Sequence, residues 1–209
     1  MMKQLIQKDL VVLAADKNME YTLKGLLLRH QSLGSRQLMV DFYTHPEHDP
    51  GCLLRGHDFL RSMTKSYAHA LVVLDRDGCG QEKCSAQDLE SQIENRLKFS
   101  GWDDRATAIA IEPELEIWVW SNSPHVDRII GWSGKNPDLR TWLMREGFIR
   151  TRRAKPDQPK EAFEQALKIA GKARSSSLFH QIARSVSLED CVNPAFKKLK
   201  DILKNWFPG

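Results

Sequence analysis

No apolar run in this 209-residue chain approaches the roughly 18 residues of a membrane span. Nor does a signal-peptide pattern open it. Its four cysteines, Cys52, Cys79, Cys84 and Cys191, are scattered rather than spaced as a disulfide framework. Together these absences predict a cytoplasmic protein with no membrane partner. Internal repeats and low-complexity tracts are missing too. The chain has no Walker lysine motif, nucleophile elbow or dinucleotide fingerprint, so the usual signatures of P-loop, α/β-hydrolase and Rossmann chemistry are absent.

What is present begins with charge. The formal net charge of +4 conceals an asymmetry. Residues 1–127 hold 14 Lys and Arg against 19 Asp and Glu, whereas residues 128–209 hold 17 against 8. An acidic N-terminal part beside a basic C-terminal part suits a metal-binding core next to a surface for an anionic polymer. Solvated basic helix faces would give the same pattern.

Hydrophobic periodicity orders residues 1–123 as alternating strands and helices. DLVVLAA (9–15) predicts a first strand. A helix follows from near Asn18, with Leu23, Leu26 and Leu27 at helical spacing and Gly34 closing it. Residues 37–43 predict a second strand, followed by the turn-rich loop THPEHDPGC and a helix over 56–67. The apolar run 71–74 reads as a buried parallel strand that ends at Asp75 and Asp77, where Gly78 and Gly80 let the chain turn. Ser85 and Asp88 form a capping-box pair for a helix reaching Phe99. ATAIAI (106–111) is a fourth strand, and Pro113 opens a helix over 114–122. The alternation predicts an α/β fold: a mainly parallel sheet with helices on both faces. From Pro124 onward only helices are expected, over 125–130, 137–146, 159–170, 178–183 and 194–206. Residues 124–209 thus read as a helical, basic C-terminal extension packed on the core.

Three expected strand ends carry acids: Asp16 with Glu20 one turn later, Asp75 with Asp77, and Glu112 with Glu116. Glu112 and Glu116, four residues apart, would share a helix face, with Glu114 pointing away. Parallel strands bring such ends to one edge, where open α/β sheets bind their ligands. Gathered carboxylates repel one another, and a bound cation relieves the repulsion. Hard oxygen donors suit Mg²⁺ or Mn²⁺, and two such ions can clamp the oxygens of a phosphodiester. DRDG is also an ordinary turn sequence.

The order strand–acid–helix, strand–DxD, strand–glutamate helix resembles the layout of Toprim domains, found in topoisomerases, primases and OLD-type nucleases. DRD at 75–77 is similar to the Toprim DxD. IAIEPELEIWVW is similar to a glutamate- and tryptophan-bearing helix of small bacterial Toprim-like families related to OLD nucleases. QPKEAFEQALKIAGKAR and PAFKKLKDILKNW resemble the same group. The resemblance implies that Asp75, Asp77 and Glu116 bind Mg²⁺ (or Mn²⁺), with Glu112 assisting. Toprim domains place a general acid/base Glu-Gly just after the first strand. Here Ala14 and Ala15 stand there, and Asp16 or Glu20 would take over the role. The implied function is a metal-dependent nuclease or related phosphodiester-processing enzyme acting on DNA or RNA. Its implied setting is prokaryotic phage defence or genome maintenance, beside a partner ATPase or another defence-system protein. With the Glu-Gly missing, the alternative is a non-catalytic Toprim-derived module that binds nucleic acid or protein in a larger defence complex.

Arg150, Arg152, Arg153 and Lys155, extended by Lys168, Lys172 and Arg174, form the candidate phosphate-binding surface; solvated helix ends are the bland alternative. His45, His48, Asp49, Cys52 and His57 are zinc-ligand types, but their spacing matches no standard structural-zinc pattern, so exposed histidines on a turn loop are expected. Cys79 and Cys84 are expected on a mobile reduced loop. Trp118 is expected in the core, and Trp102, Trp132, Trp142 and Trp206 against the C-terminal helices.

Overall fold

The computed structural model describes residues 7–209 except 122, 153, 189, 190 and 192. Four strands, β1 (Lys8–Ala14), β2 (Val40–Thr44), β3 (Tyr67–Asp75) and β4 (Ala106–Ile111), form one sheet in the order β2-β1-β3-β4. All three pairings are parallel. Between the strands run α1 (Lys17–Leu27), α2 (His30–Leu33), α3 (His48–Leu60) and α4 (Ala86–Leu97). After β4 the described residues form only helices and their connections: α5 (Glu116–Val119), α6 (Pro124–Ile129), α7 (Leu139–Arg145), α8 (Pro159–Ala170), α9 (Ser176–Ser185) and α10 (Pro194–Trp206).

Successive side chains of a strand point to opposite faces. Leu10, Val11, Val12 and Leu13 are each 0 % exposed, so both faces of the sheet are covered. That matches the unbroken apolar runs expected of a parallel sheet. Helices α3 and α4 pack on each other and on β1, β3 and β4. Helix α1 lies against β1 and β2 with α9 behind it, and α10 runs against β4 and α2. The helices after β4 therefore share one hydrophobic core with the sheet.

Local chemistry fixes the boundaries. Asp16 Oδ1 accepts from Met19 N at 2.8 Å and caps α1. Ser85 and Asp88 make both bonds of a capping box on α4. Pro159 opens α8, and Gly171 closes it at φ 67°, a left-handed turn that suits glycine.

The edge strand β4 is closed by side chains. Glu94 Oε1 accepts from Ala108 N at 3.1 Å and from Thr107 Oγ1 at 2.5 Å, while Glu90 Oε1 accepts from Ala110 N at 3.0 Å. Lys198 of α10 reaches both glutamates, at 2.9 and 3.0 Å. The exposed margin of the sheet thus finds its hydrogen-bond partners without another strand.

Three boundaries differ from the sequence expectation. Helix α3 starts at His48, not near residue 56. Pro50 falls in its first turn, where a missing N–H removes no helical bond. Helix α5 covers only Glu116–Val119, far less than 114–122. The first long helix breaks after Leu27, and Gly34 closes α2 instead. Trp118 is buried as expected. Trp102 is fully buried too, but it donates to Leu60 O at 3.3 Å, within the N-terminal half. Trp206 stacks on His69 of β3 at 4.2 Å, and Trp132 pairs with Trp142 at 4.8 Å.

Candidate metal centre

The site is built where β1, β2 and β3 end. Asp75 closes β3, and its backbone N donates to Asp49 Oδ1 at 2.7 Å. That bond ties the first turn of α3, just beyond β2, to the end of β3. Asp75 Oδ1 is shielded from solvent and has no hydrogen-bond partner among the described residues. Burial pushes the Asp75 carboxyl pKa well above the ordinary carboxylate value, and Asp49, Glu116, Asp16 and Glu114 push it further. Asp49 is also raised, by burial first and then by Asp16, against the bond from Asp75 N.

Glu116, on α5, is buried. Burial raises its pKa although Arg174 opposes the shift. Arg174 Nη2 stands 2.6 Å from Glu116 Oε1, but the pair lacks the alignment of a hydrogen bond. Asp16, held by its cap bond, completes a group of acids around Asp75. Among the residues singled out in the sequence, the fold brings together Asp16, Asp75 and Glu116.

It sets three others apart. Glu20 is buried with one oxygen on Lys17 at 2.7 Å and the other on Lys24 at 2.6 Å. Burial pushes its pKa up, but the two lysines outweigh this and hold it below the usual range. The side chain of Asp77 is 47 % exposed and pairs with Arg76 at 3.1 Å. Gly78 and Gly80, at φ 91° and 85°, turn the loop outward, and Glu82 accepts from both of their N–H groups. Glu112 binds the same Arg76 guanidinium. It precedes α5, so it does not share a helix face with Glu116. Glu114, expected to point away, lies within the field that shifts Asp75 and accepts from Lys160 N at 3.0 Å.

Asp49 was hidden in a turn-rich loop. Its signal was the one that marked the other acids: a carboxylate just past the C-terminal end of a predicted strand. Among the described residues, no three His, Cys, Asp or Glu side chains stand at metal-coordinating spacing. The zinc-ligand types nearby are dispersed. His45 is buried, with Nδ1 accepting from Glu47 N at 3.1 Å. Cys52 is buried, and that burial pushes its thiol pKa up. Cys79 is buried as well.

The basic residues divide in the same way. Lys155 points inward and donates to Ile117 O at 2.6 Å, and Lys172 donates to Ile129 O. Arg152 is engaged by Thr141 Oγ1 and Asp138, both at 2.9 Å. Arg174 joins Glu116 to Glu164. Arg150 and Lys168 are exposed, and Arg153 lies outside the described residues. Among the described residues, no helix is long and apolar enough to cross a membrane. No family model matches the chain, and no curated protein or solved structure resembles it significantly.

Proposed function

We propose that the chain is a metal-dependent phosphodiester-processing enzyme acting on nucleic acid, a nuclease with a Toprim-like core and a helical basic C-terminal extension. The reading rests on one observation: Asp75 presents a shielded, unpartnered carboxylate oxygen among like charges at the ends of parallel strands. An unanswered buried polar atom is costly. A Mg²⁺ or Mn²⁺ ion would answer it, and the all-carboxylate donor set fits a hard cation. Asp75, Asp49 and Glu116 would hold the metal once it draws them together, since no three described side chains stand at coordinating spacing without it. When bound, it would polarise the phosphate and acidify a water molecule.

Asp16 keeps Oδ1 on the α1 cap, while Oδ2 accepts only a long 3.5 Å bond from Asn18 Nδ2, which it would give up to take a proton at the site. Glu20 is saturated by two lysines and takes no part. Asp77 and Glu112 orient Arg76, whose guanidinium would meet the substrate phosphate. The exposed Arg150 and Lys168 would add further phosphate contacts, while Arg174 stays with Glu116 and Glu164. Phage defence or genome maintenance, beside a partner ATPase, is the setting the Toprim resemblance implies.

In Mg²⁺-dependent cleavage of DNA and RNA, Asp75→Asn should lose about a thousandfold or more in rate. Asp77→Asn should lose far less. Equal losses, or full activity in Asp75→Asn, would overturn the assignment. The loose spacing of the carboxylates favours one second reading, a non-catalytic binding module. Calorimetry separates the two: no heat of binding at millimolar Mg²⁺ or Mn²⁺ favours the module.

A further inference from the structure

Beside α5 lies a largely apolar cavity of about 470 Å³. Leu26 of α1, Trp118 of α5, Phe179 and Ile182 of α9 and Phe196 of α10 supply its walls. The size falls within the range of small-molecule sites, which combine apolar walls with a few placed polar groups. Lys155 is among the residues that line this cavity.

Lys155 is an unusual residue to find in such a wall. Its ammonium bonds the Ile117 carbonyl at 2.6 Å, which uses one of three donors. Among the described residues no carboxylate pairs with it. Arg140, with its guanidinium on Ser121 O at 2.5 Å and Ala154 O at 3.1 Å, adds a second inward-facing cation nearby. A basic side chain in the wall of an apolar chamber is half of an amphipathic recognition site. A buried cation with no counterion among the described residues is costly, and an anionic ligand head would supply one.

We propose that this cavity binds an amphipathic carboxylate, with its aliphatic chain among Leu26, Phe179 and Phe196 and its carboxylate on Lys155. The occupant would also touch α5, because Leu115, Trp118 and Val119 line the cavity while Glu116 between them belongs to the Asp75 group. Binding would therefore be felt at the carboxylate centre. The site does not depend on the nuclease reading.

Trp118 and Trp120 line the cavity and report on it directly. Decanoate, titrated below its micelle concentration, should shift tryptophan emission saturably and bind at least tenfold tighter than decanol. Lys155→Met, checked for an unchanged far-UV dichroism spectrum, should lose that preference while still binding decanol. Three results would overturn the proposal: no saturable binding of decanoate to the wild type, equal affinity for the acid and the alcohol, or an intact acid preference in the variant. The wild-type comparison alone decides the matter if the variant does not fold.

Discussion

Glu94, on α4 against β4, and Asp75, at the end of the neighbouring strand β3, are both shielded carboxylates, and their titrations move in opposite directions. At Glu94, burial pushes the pKa up, but hydrogen bonds from Thr107, Ala108 N and Lys198 outweigh it and hold the group ionised. At Asp75, burial acts unopposed: one oxygen has no partner, and its neighbours carry the same charge. Both acids sit at a boundary of the sheet, Glu94 along the outer margin of β4 and Asp75 at the end of β3. Glu94 answers the margin of β4 and is answered in turn, whereas Asp75 is left open. A buried carboxylate with every lone pair engaged is a structural part, and one that lacks partners is prepared for something that arrives later.

The largest effect on stability should come from breaking the satisfied acid. Glu94→Ala leaves Ala108 N and Thr107 Oγ1 without their partner and should cost about 2 kcal/mol. In a domain of this size, thermal unfolding should then drop by roughly 4–8 °C. Asp75→Asn should act with the opposite sign. A carboxyl with a raised folded-state pKa favours folding below its unfolded value, near 4, and that advantage is lost as pH rises through the folded value. In metal-free buffer at pH 7, the Asn variant should therefore melt about 2–4 °C above wild type. The gap should close as pH falls toward 4, and a variant that melts lower at pH 7 would contradict the contrast.

Millimolar Mn²⁺ should raise the wild-type midpoint by a few degrees, through preferential binding to the folded state. It should leave Asp75→Asn unmoved. Lys198→Met removes the cation shared by Glu90 and Glu94 and should cost about 1 kcal/mol, with the loss fading in acid as the glutamates protonate. Arg152→Ala, at an exposed ion pair with Asp138, should change stability by no more than about 0.5 kcal/mol.

The strands were legible because parallel strands buried on both faces carry unbroken apolar runs: 106–111 was bounded as found, and β1 and β3 to within a few residues. Helices α8 and α10 were equally clear, each announced by a proline at its first residue. Helix α3 was misplaced because Pro50 and Gly51 read as turn residues. Pro50 instead occupies a first turn, and Gly51 is required by contact: a Cβ there would stand 2.0 Å from His45 Nδ1. The same misreading concealed Asp49, which only becomes a site residue once α3 begins at His48. Glu112 and Glu114 exchanged their expected parts because the segment after β4 is not yet helical, so four-residue spacing carried no meaning there. The pairing of Glu20 with Lys17 and Lys24 was written in its spacing, at three and four residues, but its burial was not.

The closed margin of β4 also governs how copies of this protein can associate. The N–H groups of Ala108 and Ala110 are already bonded, so an incoming strand finds no template on that side. Fibre growth by strand addition needs two receptive margins on every molecule. This molecule offers at most one, so any such stacking ends at two copies.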